Sequence, residues 1–124
     1  MVKNMANVTE NNKLIAEFMG AKLAKDDYGE FGYHYPKGSK KPPTCIWGFS
    51  PYALRYNKDF DWLMPVIDKI SKQAIIETKN SNETMYVSIT VPDKYYQSAT
   101  GKPIDTLFNS AVEFIKWHNK NKAI

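Results

Sequence analysis

Asp61-Trp62-Leu63-Met64-Pro65 constrains this chain more than any other stretch. Pro65 cannot donate a backbone hydrogen bond, and a helix tolerates proline best in its first turn, where the amides have no internal partner. Val66, Ile67 and Ile70 follow at helical spacing, so a helix is expected to start just before the proline and run to about Lys72. Asp61 is the fitting N-cap, which places Trp62, Leu63 and Met64 in the opening turn. Pro65 also disfavours helical angles at Met64, so that turn is expected to be irregular.

Other elements can be placed around this anchor. Leu14, Ile15, Phe18, Met19 and Leu23 recur at helical spacing, Thr9 or Asn11 can cap the start, and Gly20 falls at the end. This predicts a helix over roughly residues 10–20, with residues 1–8 left as a loose N-terminus. Phe31, Tyr33 and Tyr35 alternate as in a short strand, and Cys45-Ile46-Trp47-Gly48-Phe49 reads as a second. Between them residues 36–43, rich in Pro, Gly and Lys, form a flexible basic loop, giving a hairpin with a basic tip.

Ala74 to Thr78 reads as a strand, Asn80-Ser81-Asn82 as a turn, and Thr84 to Val91 as the clearest alternation in the chain. Tyr95 to Lys102 reads as a loop. Pro103 suits the first turn of a last helix carrying Ile104, Leu107, Phe108, Ala111, Val112, Phe114, Ile115 and Trp117, which is apolar over a wide arc and expected to be the most buried. The order α-β-β-α-β-β-α predicts an α+β fold, an antiparallel sheet packed with about three helices in a sandwich-like arrangement.

A chain of 124 residues with 43% hydrophobic and 14% aromatic content suits one domain with its own core. The formal charge of +4 favours anionic partners, but the lysines are dispersed rather than gathered into an arm, so duplex nucleic acid is not signalled. Cys45 is the only cysteine, which excludes an intrachain disulfide and suits a reducing compartment. Met1 to Glu10 has no signal-peptide pattern, and no window is apolar enough to span a bilayer. A cytoplasmic location is expected.

Catalytic signatures are thin. Nucleophilic chemistry would draw on Cys45 with His34 across the hairpin, but no local motif supports that pair. His118 lies near the end of the last helix, where the dipole favours an imidazolium and a structural or surface role. Asp26, Asp27 and Glu30 read as solvated loop charges, and Asp61, of the pair Asp59 and Asp61, is accounted for by capping. Gly101-Lys102 lacks the upstream glycine and the following Ser/Thr of a phosphate loop. No catalytic residue, metal site or cofactor is assigned.

Residues 28–62 hold ten of the chain's aromatics, with Arg55 and Lys58 flanking Tyr56. Rings that stack on a base and cations that meet phosphate would suit a flat, anionic ligand. The candidate ligand-binding residues are Arg55, Tyr56, Lys58, Trp62, Tyr35 and Trp47. The alternative is that the rings form a second small core from which the cations snorkel.

Three blocks carry a resemblance: Asn12-Lys13-Leu14-Ile15-Ala16-Glu17-Phe18-Met19-Gly20, Asp61-Trp62-Leu63-Met64-Pro65-Val66-Ile67-Asp68-Lys69-Ile70 and Ala111-Val112-Glu113-Phe114-Ile115-Lys116-Trp117-His118-Asn119. Together they resemble a group of short uncharacterised proteins of Bacteroidetes and their phages. In that group the segment before the central Asp-Trp typically reads Tyr-His-Thr-Ser-Trp; here it is Tyr56-Asn57-Lys58-Asp59-Phe60, so no role of that histidine carries over. The element order also resembles the phage ABA sandwich domain, which implies helices enclosing a sheet.

The absence of a reactive constellation favours a binding protein over an enzyme, and together with the resemblance this leads to the expectation of a non-enzymatic phage or prophage accessory protein acting in the host cytoplasm. With the aromatic-basic segment, the resemblance leads to the expectation of a host-defence antagonist that binds a small anionic nucleotide-like ligand. The alternative expectation is a protein–protein module that docks a host or phage protein through residues 28–62. A homodimer is compatible with either.

Overall fold

A computed structural model of the chain describes residues 5–25, 31–34 and 54–121. Its elements run α1 (Met5–Phe18), β1 (Lys22–Lys25), β2 (Phe31–His34), α2 (Phe60–Ser71), β3 (Ile75–Ser81), β4 (Thr84–Val91), β5 (Tyr95–Gly101) and α3 (Pro103–Asn121). The class is α+β with antiparallel sheets, as the sequence predicts. Among the described residues the order is α-β-β-α-β-β-β-α, in which β1 and β5 fall on segments not expected to be strands.

The first helix starts at Met5, inside the stretch expected to be loose, so Thr9 and Asn11 lie within it rather than capping it. Its end is a Schellman closure: Gly20 takes φ 96°, its amide donates to the Glu17 carbonyl at 3.0 Å, and the Ala21 amide donates to the Ala16 carbonyl at 2.9 Å. Ala16 and Ala21 are both buried, which supplies the apolar contact such closures favour. The closure turns the chain away before Leu23, which pairs with Tyr33 in β1 and β2 instead of extending the helical stripe. The strand expected over Cys45 to Phe49 and the loop 36–43 lie outside the described residues.

The second helix begins earlier than the proline suggests. Asp59, not Asp61, is the N-cap: its backbone is extended, and its carboxylate accepts from the Asp61 amide at 2.9 Å. Pro65 therefore lies in the helix interior, beyond the first turn, and leaves the Asp61 carbonyl without its usual helical donor. An interior proline costs about 3 kcal/mol relative to alanine. Burial of Trp62, Leu63, Val66, Ile67 and Ile70 offsets it, since each large apolar side chain contributes about 1.5–3 kcal/mol.

The larger sheet has the order β3-β4-β5, all antiparallel. The β3–β4 hairpin is tight, because Ser81 pairs with Thr84 and Asn82 takes φ 55° between them. The turn is thus shifted from the expected 80–82, and β3 runs on to Ser81. Tyr95 to Gly101, expected as a loop, is a full edge strand with Gln97 opposite Ile89 and Tyr95 opposite Val91. Asp93, at φ 64°, turns the chain between β4 and β5.

Val87 and Ile89 of β4 are fully buried beneath α3, together with Phe108, Ala111, Phe114 and Ile115 of that helix. Pro103 takes the first helical position as the sequence predicts, and the Thr106 amide donates to Lys102 at 2.8 Å. A Cβ on Gly101 would come within 2.9 Å of the Thr106 hydroxyl, so glycine permits this close strand-to-helix passage. Ile15 and Ala16 of α1, Met19 just beyond its end and the buried stripe of α2 complete one core. Among the described residues the helices lie on one face of the three-stranded sheet and do not enclose it.

Candidate functional site

Of the six residues singled out for ligand binding, Tyr35 and Trp47 lie outside the described residues. Tyr56 and Trp62 are each only 2% exposed. Their rings meet edge to face, with centroids 5.2 Å apart and planes at 84°, the geometry favoured by aromatic quadrupoles. This corrects the expectation of open stacking platforms, because both rings lie in the core. Arg55 and Lys58 remain at the surface, with Arg55 Nε 3.9 Å from the Asp59 carboxylate. The four described members of the expected cluster therefore separate into two buried rings and two exposed cations.

Asp59 is occupied as the helix cap, and Asp61 offers its amide to it. Cys45, Asp26, Asp27 and Glu30 lie outside the described residues, and His34 is placed by its backbone in β2. Among the described residues no three His, Cys, Asp or Glu side chains are grouped as a metal site would require.

A different set converges elsewhere. The ends of α1, α2 and α3 meet around a cleft of about 330 Å³, lined by Glu17, Phe18, Lys69, Gln73, His118 and Asn119. That volume is at the small end of ligand pockets. Each helix contributes its C-terminal portion: Glu17 and Phe18 close α1, Lys69 sits in the last turn of α2 with Gln73 just beyond, and His118 and Asn119 lie near the end of α3.

Lys69 organises the cleft. Its ammonium donates to the Phe18 carbonyl, one of the acceptors left unpaired at a helix C-terminus, and lies 4.6 Å from the centroid of the Phe18 ring. Burial holds its pKa below the ordinary lysine value. His118 meets the same ring edge-on at 5.6 Å and stacks on Phe114 at 6.1 Å, so its imidazole is oriented by two aromatic neighbours. Glu17 adds a carboxylate, while Gln73 and Asn119 add amides that both donate and accept. The wall is polar and carries both charge signs around a ring already covered by Lys69 and His118.

Such a cleft can hold a small ligand by charge-assisted and neutral hydrogen bonds, with little apolar burial. It lies most of a helix length, roughly 17 Å along α2, from the Arg55–Lys58 segment. Of its residues, sequence reasoning reached only His118, and gave it a structural or surface role. The signals for the others were indirect: Gly20 marks the end of α1, and Lys69 stands near the end of the α2 stripe. Nothing local links them, since Lys69 and Phe18 are 51 positions apart.

Among the described residues no helix is long and apolar enough to cross a membrane. No known protein family, curated protein or solved structure matches the chain.

Proposed function

We propose that this chain is a non-enzymatic binding protein that holds a small, polar, nucleotide-like anion in the cleft between the three helix ends. The observation that carries the reading is the convergence of Lys69, His118, Gln73 and Asn119 on one concave site. A phosphate or carboxylate would meet Lys69 and the imidazole of His118, the groups that must offset the negative ends of the three helix dipoles at the cleft. The amides of Gln73 and Asn119 match the alternating donors and acceptors on the edge of a base. Glu17 would accept from a ribose hydroxyl or an exocyclic amine. The accessory role in phages, and antagonism of a host defence that uses nucleotide signals, follow from the family resemblance and belong to the same proposal.

Thermal denaturation against a panel of mono-, di- and cyclic nucleotides tests it. A ligand at about 100 times its Kd stabilises by about 2.7 kcal/mol, which raises the Tm by several degrees in a chain of this size. Gln73→Ala with Asn119→Ala should abolish the shift, whereas Arg55→Ala with Lys58→Ala should leave it. If no nucleotide shifts the Tm, the ligand is not of this class.

The alternative, docking of a host or phage protein, is favoured by one feature. Phe60 and Met64, one turn apart on α2, are 44% and 48% exposed. Recovery of one stoichiometric partner by the wild type and not by Phe60→Ser with Met64→Ser would support it.

A further inference from the structure

The face of the larger sheet turned away from the helices carries a second arrangement, distinct from the cleft. Strand register places three rows across it: Ile75, Thr90 and Tyr96; Glu77, Ser88 and Ser98; Lys79, Tyr86 and Thr100. Tyr86 and Tyr96 stand in the outer rows on adjacent strands, four residues out of register. At about 3.4 Å per residue and 4.8 Å between strands, their Cα atoms are roughly 14 Å apart. Yet their hydroxyl oxygens are 3.3 Å apart.

Two tyrosines can span that distance only by lying along the sheet and pointing toward each other over the middle row. The burial of Ser88 fits this arrangement: at the centre of a sheet face bearing small polar side chains it is only 6% exposed, while Tyr96 is 63% exposed. Hydrogen bonding to Tyr96 first, and also to Ser88 and Ser98, lowers the pKa of the Tyr86 phenol against the opposing effects of desolvation and, more weakly, of the Glu77 charge. Two rings and the hydroxyls of Ser88 and Ser98 thus form one flat aromatic and hydroxyl surface, with the Glu77 carboxylate and the Lys79 ammonium beside it.

We propose that this face is a binding site for a neutral carbohydrate. Sugar rings have C–H faces that lie on aromatic rings, and hydroxyls that exchange hydrogen bonds with Ser, Thr and Tyr hydroxyls and donate to a carboxylate. Charge selects the occupant. The three rows contain one acid, Glu77, and one base, Lys79, so the face has no formal charge within a chain of +4. A nucleic-acid strand needs cations tracking its phosphates. This surface supplies a single lysine, at one edge.

The test is titration of the full chain with cello-, chito- and malto-oligosaccharides, followed by calorimetry and by amide chemical shifts. At least one series should bind, and the shifts should be centred on Tyr86, Ser88, Tyr96 and Ser98. Tyr96→Ala should weaken binding about tenfold, the order expected for loss of one aromatic contact, while Tyr96→Phe should retain most of it. Because Tyr96 is exposed, both variants should keep the wild-type circular dichroism. The proposal is overturned if no series binds, if Tyr96→Ala binds as tightly as wild type, if the same residues respond only to protein concentration, or if a single-stranded oligonucleotide is the preferred occupant.

Discussion

The ammonium of Lys69 donates to the carbonyl of Phe18, tying the last turn of α2 to the C-terminus of α1 across 51 positions of chain. The same group lies over the Phe18 ring, so one side chain satisfies a helix end and forms a wall of the cleft. Lys69→Met should cost about 1–2 kcal/mol in urea denaturation, because a charge-assisted bond is lost from a partly exposed site. The sign of its pH dependence is also set. With its folded pKa lowered from 10.5, the unfolded chain binds the proton more tightly, so the wild type gains stability relative to Lys69→Met as pH rises through the lowered pKa toward 10.5.

The tyrosines should ionise in a definite order. Tyr86 is lowered from 10.0 by hydroxyl donors, whereas Tyr95 is raised by burial first and by Glu113 second. Near-ultraviolet absorbance should show Tyr86 losing its proton before Tyr95, with the early component missing in Tyr86→Phe and the late one in Tyr95→Phe. Ionisation of Tyr86 adds stability as pH rises toward 10.0, and the raised pKa of Tyr95 takes stability away as pH rises beyond 10.0. Reversed assignment of the two components would contradict the packing of Tyr95 against Phe114 and Trp117.

Capping at α2 separates two aspartates that look equivalent in sequence. Asp59→Ala should cost about 1 kcal/mol in a denaturation experiment, and Asp61→Ala much less. Equal losses would place the cap wrongly. Pro65→Ala should stabilise by about 2 kcal/mol, since it restores an amide donor to the Asp61 carbonyl, less the gain in unfolded-chain entropy.

Why these features escaped a reading of the residues is a matter of range. Periodicity made α3 and β4 legible, because each carries an unbroken pattern and Pro103 marks a helix start. At α2 the local cost of an interior proline pointed downstream to Asp61, but five buried side chains outweigh it and the helix begins at Phe60. Strand β5 has no apolar alternation: Tyr95, Gln97 and Ala99 face inward while Tyr96, Ser98 and Thr100 face out, so its partner β4 supplies the definition. Tyr56 and Trp62 looked like a site because aromatics near cations serve binding and core packing alike. The cleft draws on three helix ends about 50 residues apart, and no local spacing encodes it.

Asn12 and Asn57 test the packing of α1 against the turn before α2. Asn12 is 3% exposed and its Nδ2 donates to Asn57 Oδ1 at 2.9 Å. Asn57→Ala leaves that donor buried and unpaired, which should cost about 1–3 kcal/mol. A double-mutant cycle should give a coupling of about 0.5–1.5 kcal/mol. Additive losses would mean the two amides do not interact.

The cleft itself is tested most directly by amide chemical shifts on adding a nucleotide that raises the Tm. Glu17, Phe18, Lys69, Gln73, His118 and Asn119 should move together along one saturating curve, with Arg55 and Lys58 unchanged. Shifts confined to Arg55 through Lys58, or to the open face around Tyr96, would contradict a ligand site between the helix ends.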